Sequence, residues 1–208
     1  YVLRIREDLA ERQKAICALT TNHTFFYREA HHFEHFASDV RPEYIDRLQR
    51  GGKVRLWSAG CSSGEETWSL LMTLLGEDAG AGHAIARRDL RLLASDIASH
   101  ALAKARAATY RAEDLKPVPE ALRRAWTRTT GDECTIDPAV QQIARFRSLN
   151  LLGDWPMQGQ FDTIFCRNVM IYFDGPTKER LVARFAEKLA PGGWLYIGHS
   201  ERVTGPAL

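Results

Sequence analysis

The chain has 208 residues, 45% of them hydrophobic, 26% charged and 10% aromatic, the composition of one globular domain with at most a small appendage, which excludes intrinsic disorder. With 28 Lys and Arg against 26 Asp and Glu the formal net charge is +2, too balanced for a protein whose main task is to neutralise a nucleic-acid backbone. Cys17, Cys61, Cys134 and Cys166 are too dispersed for a C-x-x-C pair or a disulfide framework, and neither a membrane-spanning apolar run nor a secretory signal is visible, so a reducing, cytoplasmic setting is expected.

Ile5, Leu9, Ile16 and Leu19 fall at helical spacing among charges, so residues 3–19 read as an amphipathic helix, interrupted by Thr20 to Asn22. A second helical stretch carries Phe25, Phe26, Phe33 and Phe36, and a third runs from Pro42 until Gly51 and Gly52 end it. The period then changes. Residues 54–59 are a short apolar run, 60–64 a Gly/Ser loop, and 65–75 a helix with two acids in its first turn, where the helix dipole favours them. Residues 90–94 make a second buried strand ending at Ser95 and Asp96, followed by a helix to about Ala108. A strand over 161–166, a helix over 177–189, a Pro191-Gly192-Gly193 turn and a strand over 194–198 complete the alternation. This order predicts an α/β fold with a parallel sheet covered by helices on both faces. Between 117 and 150 the alternation breaks down. A short charged helix over 119–124 leads into Thr-rich runs around Gly131, which predict a small antiparallel insert at about 125–148. No internal repeat is present, and both ends read as trimmed, with Tyr1 in place of an initiating Met.

In an open parallel sheet, ligands bind outside the carboxyl ends of the strands. The residues there are Ser58 to Glu66, Asp96, Asn150 with Leu151, Arg167 with Asn168, and His199. A Gly-rich loop after one strand and a carboxylate after the next suit a nucleoside. The loop from Ala59 to Gly64 is not G-x-G-x-x-G, and Asp96 lies too far along for a dinucleotide site. The loop does match G-x-S-x-G, with Ser62 as nucleophile and His199 downstream, but that fold needs strands before the elbow, and everything before Val54 reads as helix. A nucleoside ligand without a pyrophosphate remains, and S-adenosylmethionine fits.

Six ordered blocks make the pattern specific. They are Thr21 to Arg28 (TNHTFFYR), Trp57 to Glu66 (WSAGCSSGEE), Ser95-Asp96-Ile97, Phe146 with Asn150-Leu151-Leu152, Phe165 to Asp174 (FCRNVMIYFD) and Leu189 to Glu201 (LAPGGWLYIGHSE). From about Thr20 to Glu201 they closely resemble the CheR family of chemotaxis receptor methyltransferases. The resemblance implies a Rossmann-like, class I S-adenosylmethionine-dependent methyltransferase domain over 21–208, a small β-subdomain insert, and a remnant of an N-terminal helical domain over 1–20. It implies methyl transfer from S-adenosylmethionine to glutamate side chains on the cytoplasmic helical region of bacterial chemoreceptors, giving methyl esters in sensory adaptation. A cytoplasmic monomer is expected, acting at the inner face of the membrane when receptor-bound, without membrane insertion or nucleic acid.

A carboxylate is already a nucleophile at neutral pH, so this reaction needs no general base and reduces to positioning. Arg28 can offer a planar fork and Tyr172 a phenol to the acceptor, and these two are the expected catalytic residues. For the cofactor the resemblance implies Asn22, Thr24 and Arg28 at one rim and Asp96 on the ribose. It also implies Glu65 or Glu66 near the methionyl part, Asn150 and Leu151 beside the adenine, and Arg167 with Asn168 closing the site. Arg167 beside a sulfonium is unfavourable unless it faces a carboxylate, either the methionyl group or the acidic substrate.

Taken singly, Asp96 and Asn22 suit helix caps, Arg28 a solvated charge, Tyr172 core and His199 a hydrogen-bonded strand end; the ordered blocks favour the site readings for all but His199. His31, His32 and His35 with Glu29 and Glu34 lack H-E-x-x-H spacing, and no metal is expected. Residues 100–149 hold nine basic against six acidic side chains, a surplus that suits an acidic protein partner. The short turn around Thr130-Gly131-Asp132 resembles members that do not use a receptor tether. A regulatory S-adenosylmethionine-binding module is the second reading. A nucleic-acid amino methyltransferase is the third, and Arg167-Asn168-Val169-Met170 lacks its Asp/Asn-Pro-Pro-aromatic motif.

Overall fold

A computed structural model describes Asp8, Glu11 and residues 23–203. The helix and helical-domain remnant expected before residue 20, and Asn22, lie outside the described residues.

The Phe-rich segment begins as turns and becomes helix α1 (His31–His35), which widens into a π-helical turn at Phe36–Val40 before helix α2 (Arg41–Gln49). Pro42 occupies the first turn of α2, where its missing N–H leaves the ladder without a donor at the point where the spacing changes. Phe26, Phe33, Phe36, Tyr44 and Leu48 are buried, so this face packs on the sheet rather than on solvent.

Strand β1 (Lys53–Ala59) leads through the Gly/Ser loop to α3 (Glu65–Leu75), the boundaries expected from the acidic first turn. Ten of the eleven residues of α3 are buried, which makes it the central helix of one layer. Helix α4 (Ala79–Ala86) starts where the Asp78 side chain accepts the Ala81 N–H at 3.1 Å. Strand β2 (Asp89–Asp96) and helix α5 (Ser99–Ala107) follow, then β3 (Thr109–Arg111), α6 (Glu120–Trp126), β4 (Thr127–Thr130), β5 (Glu133–Ile136), a short α7 (Pro138–Gln141) and β6 (Ala144–Ser148). Strand β7 (Phe161–Cys166), a 3₁₀ turn (Met170–Tyr172), α8 (Gly175–Lys188) and β8 (Leu189–Ile197) complete the described chain.

Five strands form a parallel sheet in the order β6-β2-β1-β7-β8. Strand order therefore reverses between β1 and β7, and the crevice at their carboxyl ends is the place where such sheets bind ligands. Side chains alternate between the faces: Leu56 joins the core under α2 and α3, whereas Trp57 joins the core under α8 with Phe161, Ile164 and Phe185.

The antiparallel insert expected at about 125–148 is placed differently. Its three strands run in the order β3-β5-β4, so it recruits residues 109–111 and ends at Ile136. Residues 144–148 instead pair in parallel with β2 and belong to the main sheet. Strand β8 begins five residues before the expected 194, ahead of the Pro-Gly-Gly sequence. Cys61, Cys134 and Cys166 are free thiols, all buried. No helix of the described residues is long and apolar enough to cross a membrane.

Candidate active site

A cavity of about 520 Å³ opens at the β1/β7 crevice. Thr24, Arg28, Glu66, Asp96, Asn150, Leu151, Arg167, Asn168 and Tyr172 all line it, so nine of the expected site residues converge from five separated stretches of chain. Glu65 does not line the cavity. Its buried carboxylate accepts from Ser63 Oγ at 2.8 and 2.9 Å and lies 3.6 Å from Lys104 Nζ.

The floor is built by glycine geometry and one carboxylate. Gly60 has φ +85° and lies so close to the β7 side that a Cβ there would sit 2.4 Å from Val169 Cγ2. Ser62 also takes positive φ, 49°, which turns its N–H onto Asp96 Oδ2 at 2.8 Å, while Asp96 Oδ1 accepts the Ala98 N–H at 2.8 Å. Asp96 thus holds the β1 loop and the start of α5 together, and each oxygen keeps a further lone pair for a hydroxyl. Among the described residues no strand precedes β1.

Glu66 Oε1 accepts from Ser58 Oγ at 2.7 Å and Oε2 lies 3.5 Å from Arg167, and burial pushes its carboxyl above the usual range against these contacts. The Arg167 guanidinium is buried, stacks 5.3 Å from the Phe33 ring centroid, donates to the Arg28 carbonyl, and lies 3.4 Å from Glu29 Oε2. Two carboxylates thus already flank Arg167. Its Nε is buried and has no hydrogen-bond partner among the described residues.

Glu29, absent from the expected site, ties three segments together. With φ 57° it accepts from Asn168 Nδ2 (3.1 Å), the His199 N–H (3.1 Å) and the His199 ring at Nδ1 (2.7 Å). Burial raises its carboxyl, but the His199 and Asn168 hydrogen bonds and the Arg167 charge outweigh this and hold it at about 2. Glu29, His31 and His32 bring ligand atoms within 4.8 Å of one another, but the Arg167 guanidinium supplies the positive charge there. Arg28 reaches the cavity from the same turn, donates Nη1 to the His23 carbonyl at 2.8 Å and lies over the Phe25 ring. At the mouth Phe25, Leu152 and Tyr172 are exposed, Tyr172 by 58%. Asn150 makes a turn through Leu152 N–H to Oδ1 at 3.0 Å, which leaves Leu151 buried against the cavity wall.

Sequence reasoning gave no site role to Glu29, whose partners Asn168 and His199 lie far along the chain, or to Glu201, which reaches back to Asn168, Met170 and Ile171. The signal for Glu29 is its adjacency to Arg28, and for Glu201 its place at the end of the last block.

The family described as CheR methyltransferase, SAM binding domain, matches residues 22–207. A probable chemotaxis protein methyltransferase of Rhizobium etli is 44% identical over 202 residues, spanning 95% of this chain and 74% of its own length. A chemotaxis protein methyltransferase of Klebsiella aerogenes is 45% identical over 203 residues, spanning 94% of this chain and 65% of its own. Among solved structures, a glycopeptide N-methyltransferase complexed with S-adenosyl-L-methionine superimposes with a TM-score of 0.41 at 17% identity, over 76% of this chain and 50% of that one.

Proposed function

The chain belongs to the CheR methyltransferase family, and from that premise we propose that it methylates glutamate side chains of chemoreceptors, giving glutamate methyl esters. S-adenosylmethionine is the methyl donor of the family domain. The observation that carries the reading is the convergence of Arg28 and Tyr172 on the mouth of a cavity whose inner wall holds Asp96 and Glu66.

The residues fit the donor. Asp96 keeps lone pairs for ribose hydroxyls, and the β1 loop, where Gly60 leaves no room for a side chain, admits a ligand close to the backbone. The Arg167 guanidinium at the cavity wall suits the methionyl carboxylate, and the Glu66 and Glu29 carboxylates on Arg167 keep the local charge from being positive. Of the two glutamates after the loop, Glu66 is the one we assign to the cofactor, with Thr24, Asn150, Leu151 and Asn168 on the surrounding wall. Bound there, S-adenosylmethionine supplies an electrophilic methyl group on a sulfonium.

The chain's part is then orientation. Arg28, with guanidinium donors beyond the one given to His23, and the exposed Tyr172 hold the acceptor carboxylate at the mouth. Neither needs to take a proton, because an ionised acceptor has none to lose. The partner is the cytoplasmic helical part of a chemoreceptor, met by a monomer at the inner face of the membrane, and the tight Gly131 turn between β4 and β5 favours action without a receptor tether.

Incubation with methyl-labelled S-adenosylmethionine and a receptor cytoplasmic fragment, followed by base, should release labelled methanol. Cofactor binding with no methyl transfer to cognate receptor would instead support a regulatory binding module.

A further inference from the structure

One buried carboxylate in the site is committed wholly to backbone. Glu201 is 8% exposed, and among the described residues no basic side chain pairs with it. Its Oε2 accepts the N–H groups of Gly198 (2.6 Å) and Asn168 (3.0 Å), and its Oε1 those of Met170 (2.7 Å) and Ile171 (3.3 Å). Two segments are pinned by one side chain: the end of β8, to which Glu201 also returns through its own N–H to the Gly198 carbonyl at 2.8 Å, and the loop after β7.

That loop needs pinning. Asn168 sits at φ 58°, a left-handed conformation that Asn adopts more readily than most residues but as an isolated position only. Met170 and Ile171 open the single 3₁₀ turn that ends at Tyr172, and a one-turn element has no ladder of its own to hold it. The fit is tight: a Cβ on Gly198 would lie 2.7 Å from Asn168 Nδ2, 2.9 Å from Asn168 N and 3.0 Å from Glu201 Oε2.

We propose that Glu201 is a positioning residue for methyl transfer, fixing the Asn168–Tyr172 loop so that the Tyr172 phenol stands at the cavity mouth. The inference rests on the reading above that Tyr172 orients the acceptor. Only a carboxylate offers acceptors on both oxygens. Glutamine would present an amide NH₂ to one of the two N–H pairs and release that half of the clamp.

The test is a cycle of wild type, E201Q, Y172F and the double variant, assayed on a glutamate-bearing helical receptor peptide, with amide hydrogen exchange run on the wild type and E201Q. In an otherwise wild-type chain E201Q should lower kcat about tenfold with little change in KM, and in the Y172F background less than about twofold. Exchange at Met170 and Ile171 should rise about tenfold in E201Q while Leu56 and Leu92 stay protected. Gly198→Ala crowds the same clamp and should reproduce the coupled loss if E201Q folds poorly. Equal losses in both backgrounds, wild-type kcat in E201Q, or unchanged exchange at Met170 and Ile171 would overturn the inference. Wild-type kcat in Y172F would refute the Tyr172 reading, and with it any action of Glu201 through that ring. A wild type inactive on the peptide would refute the substrate reading alone, and the exchange result would still decide for or against the clamp.

Discussion

Arg28 and Asp96 line the same cavity, yet their loss should separate into two kinetic effects. On the proposed role, Arg28→Ala removes charge-assisted bonds to the acceptor, worth about 1.5–3 kcal/mol, so turnover should fall roughly 10- to 100-fold while cofactor affinity shifts little. Asp96→Ala frees the Ser62 and Ala98 N–H groups as well as the ribose hydroxyls, and calorimetry should show cofactor affinity weakened about tenfold or more. A second residue-scale prediction concerns pH. Burial, with the Arg167 charge, lowers His32 from 6.5 to about 4. Between these values the unfolded chain takes up a proton that the folded chain refuses, so stability falls as pH falls from 6.5 to 4. Glu29 continues the fall from 4.5 to about 2, where the unfolded carboxylate protonates first. His32→Gln should flatten the upper part of this slope in unfolding midpoints measured between pH 7 and 4. Asp96, Arg167 and Asn168 are legible in the sequence because they stand at or just after the carboxyl ends of strands. Glu29 is not, because its contact with His199 spans 170 residues and leaves no periodic trace.

At the scale of elements, the loop between β1 and α3 carries the site. Gly60→Ala would place a methyl against Val169 and hold an L-residue at φ +85°, a strain of about 1–2 kcal/mol per residue from the conformation alone. Cofactor affinity by calorimetry should fall more than about tenfold, consistent with that strain together with the clash. Adding Val169→Ala should recover only part of it, because the clash is relieved and the backbone strain is not. Helix α3 is readable to the residue, since Gly64 and the two acids mark its start. Strand β6 is harder to read. As an edge strand it alternates buried Ala144 and Phe146 with exposed Arg145 and Arg147, unlike the continuous apolar runs of inner parallel strands. The start of β8 hides behind Pro191, Gly192 and Gly193, which signal a turn. The register shift between Phe161 and Thr163 absorbs them at an edge, where an irregularity is tolerated.

Across the whole molecule, Asp162 joins parts that the alternation of strands and helices cannot place. Its side chain meets Arg47 of α2 and accepts the Arg55 N–H of β1 at 2.7 Å, while its carbonyl accepts the Tyr44 hydroxyl at 2.8 Å. Asp162→Ala leaves Arg47 paired with Glu43 alone and the partly buried Arg55 N–H without its acceptor, and should destabilise the fold by about 1–3 kcal/mol in urea unfolding, with the site geometry retained. The parallel sheet is legible from alternation alone. The position of its reversal between β1 and β7 is not, because order is set by which helices cover which face. The sealed thiols carry a consequence for chemistry in the cell. Burial drives Cys61 and Cys166 far above their ordinary range, so neither supplies a thiolate near neutrality. Cys61 stands between cavity-lining Gly60 and Ser62, and Cys166 at the tip of β7, both buried, so an alkylating reagent or peroxide should meet them only when the crevice breathes. The rate at which these two sulfurs are labelled is a clock for that opening, and S-adenosylhomocysteine should slow it at both together.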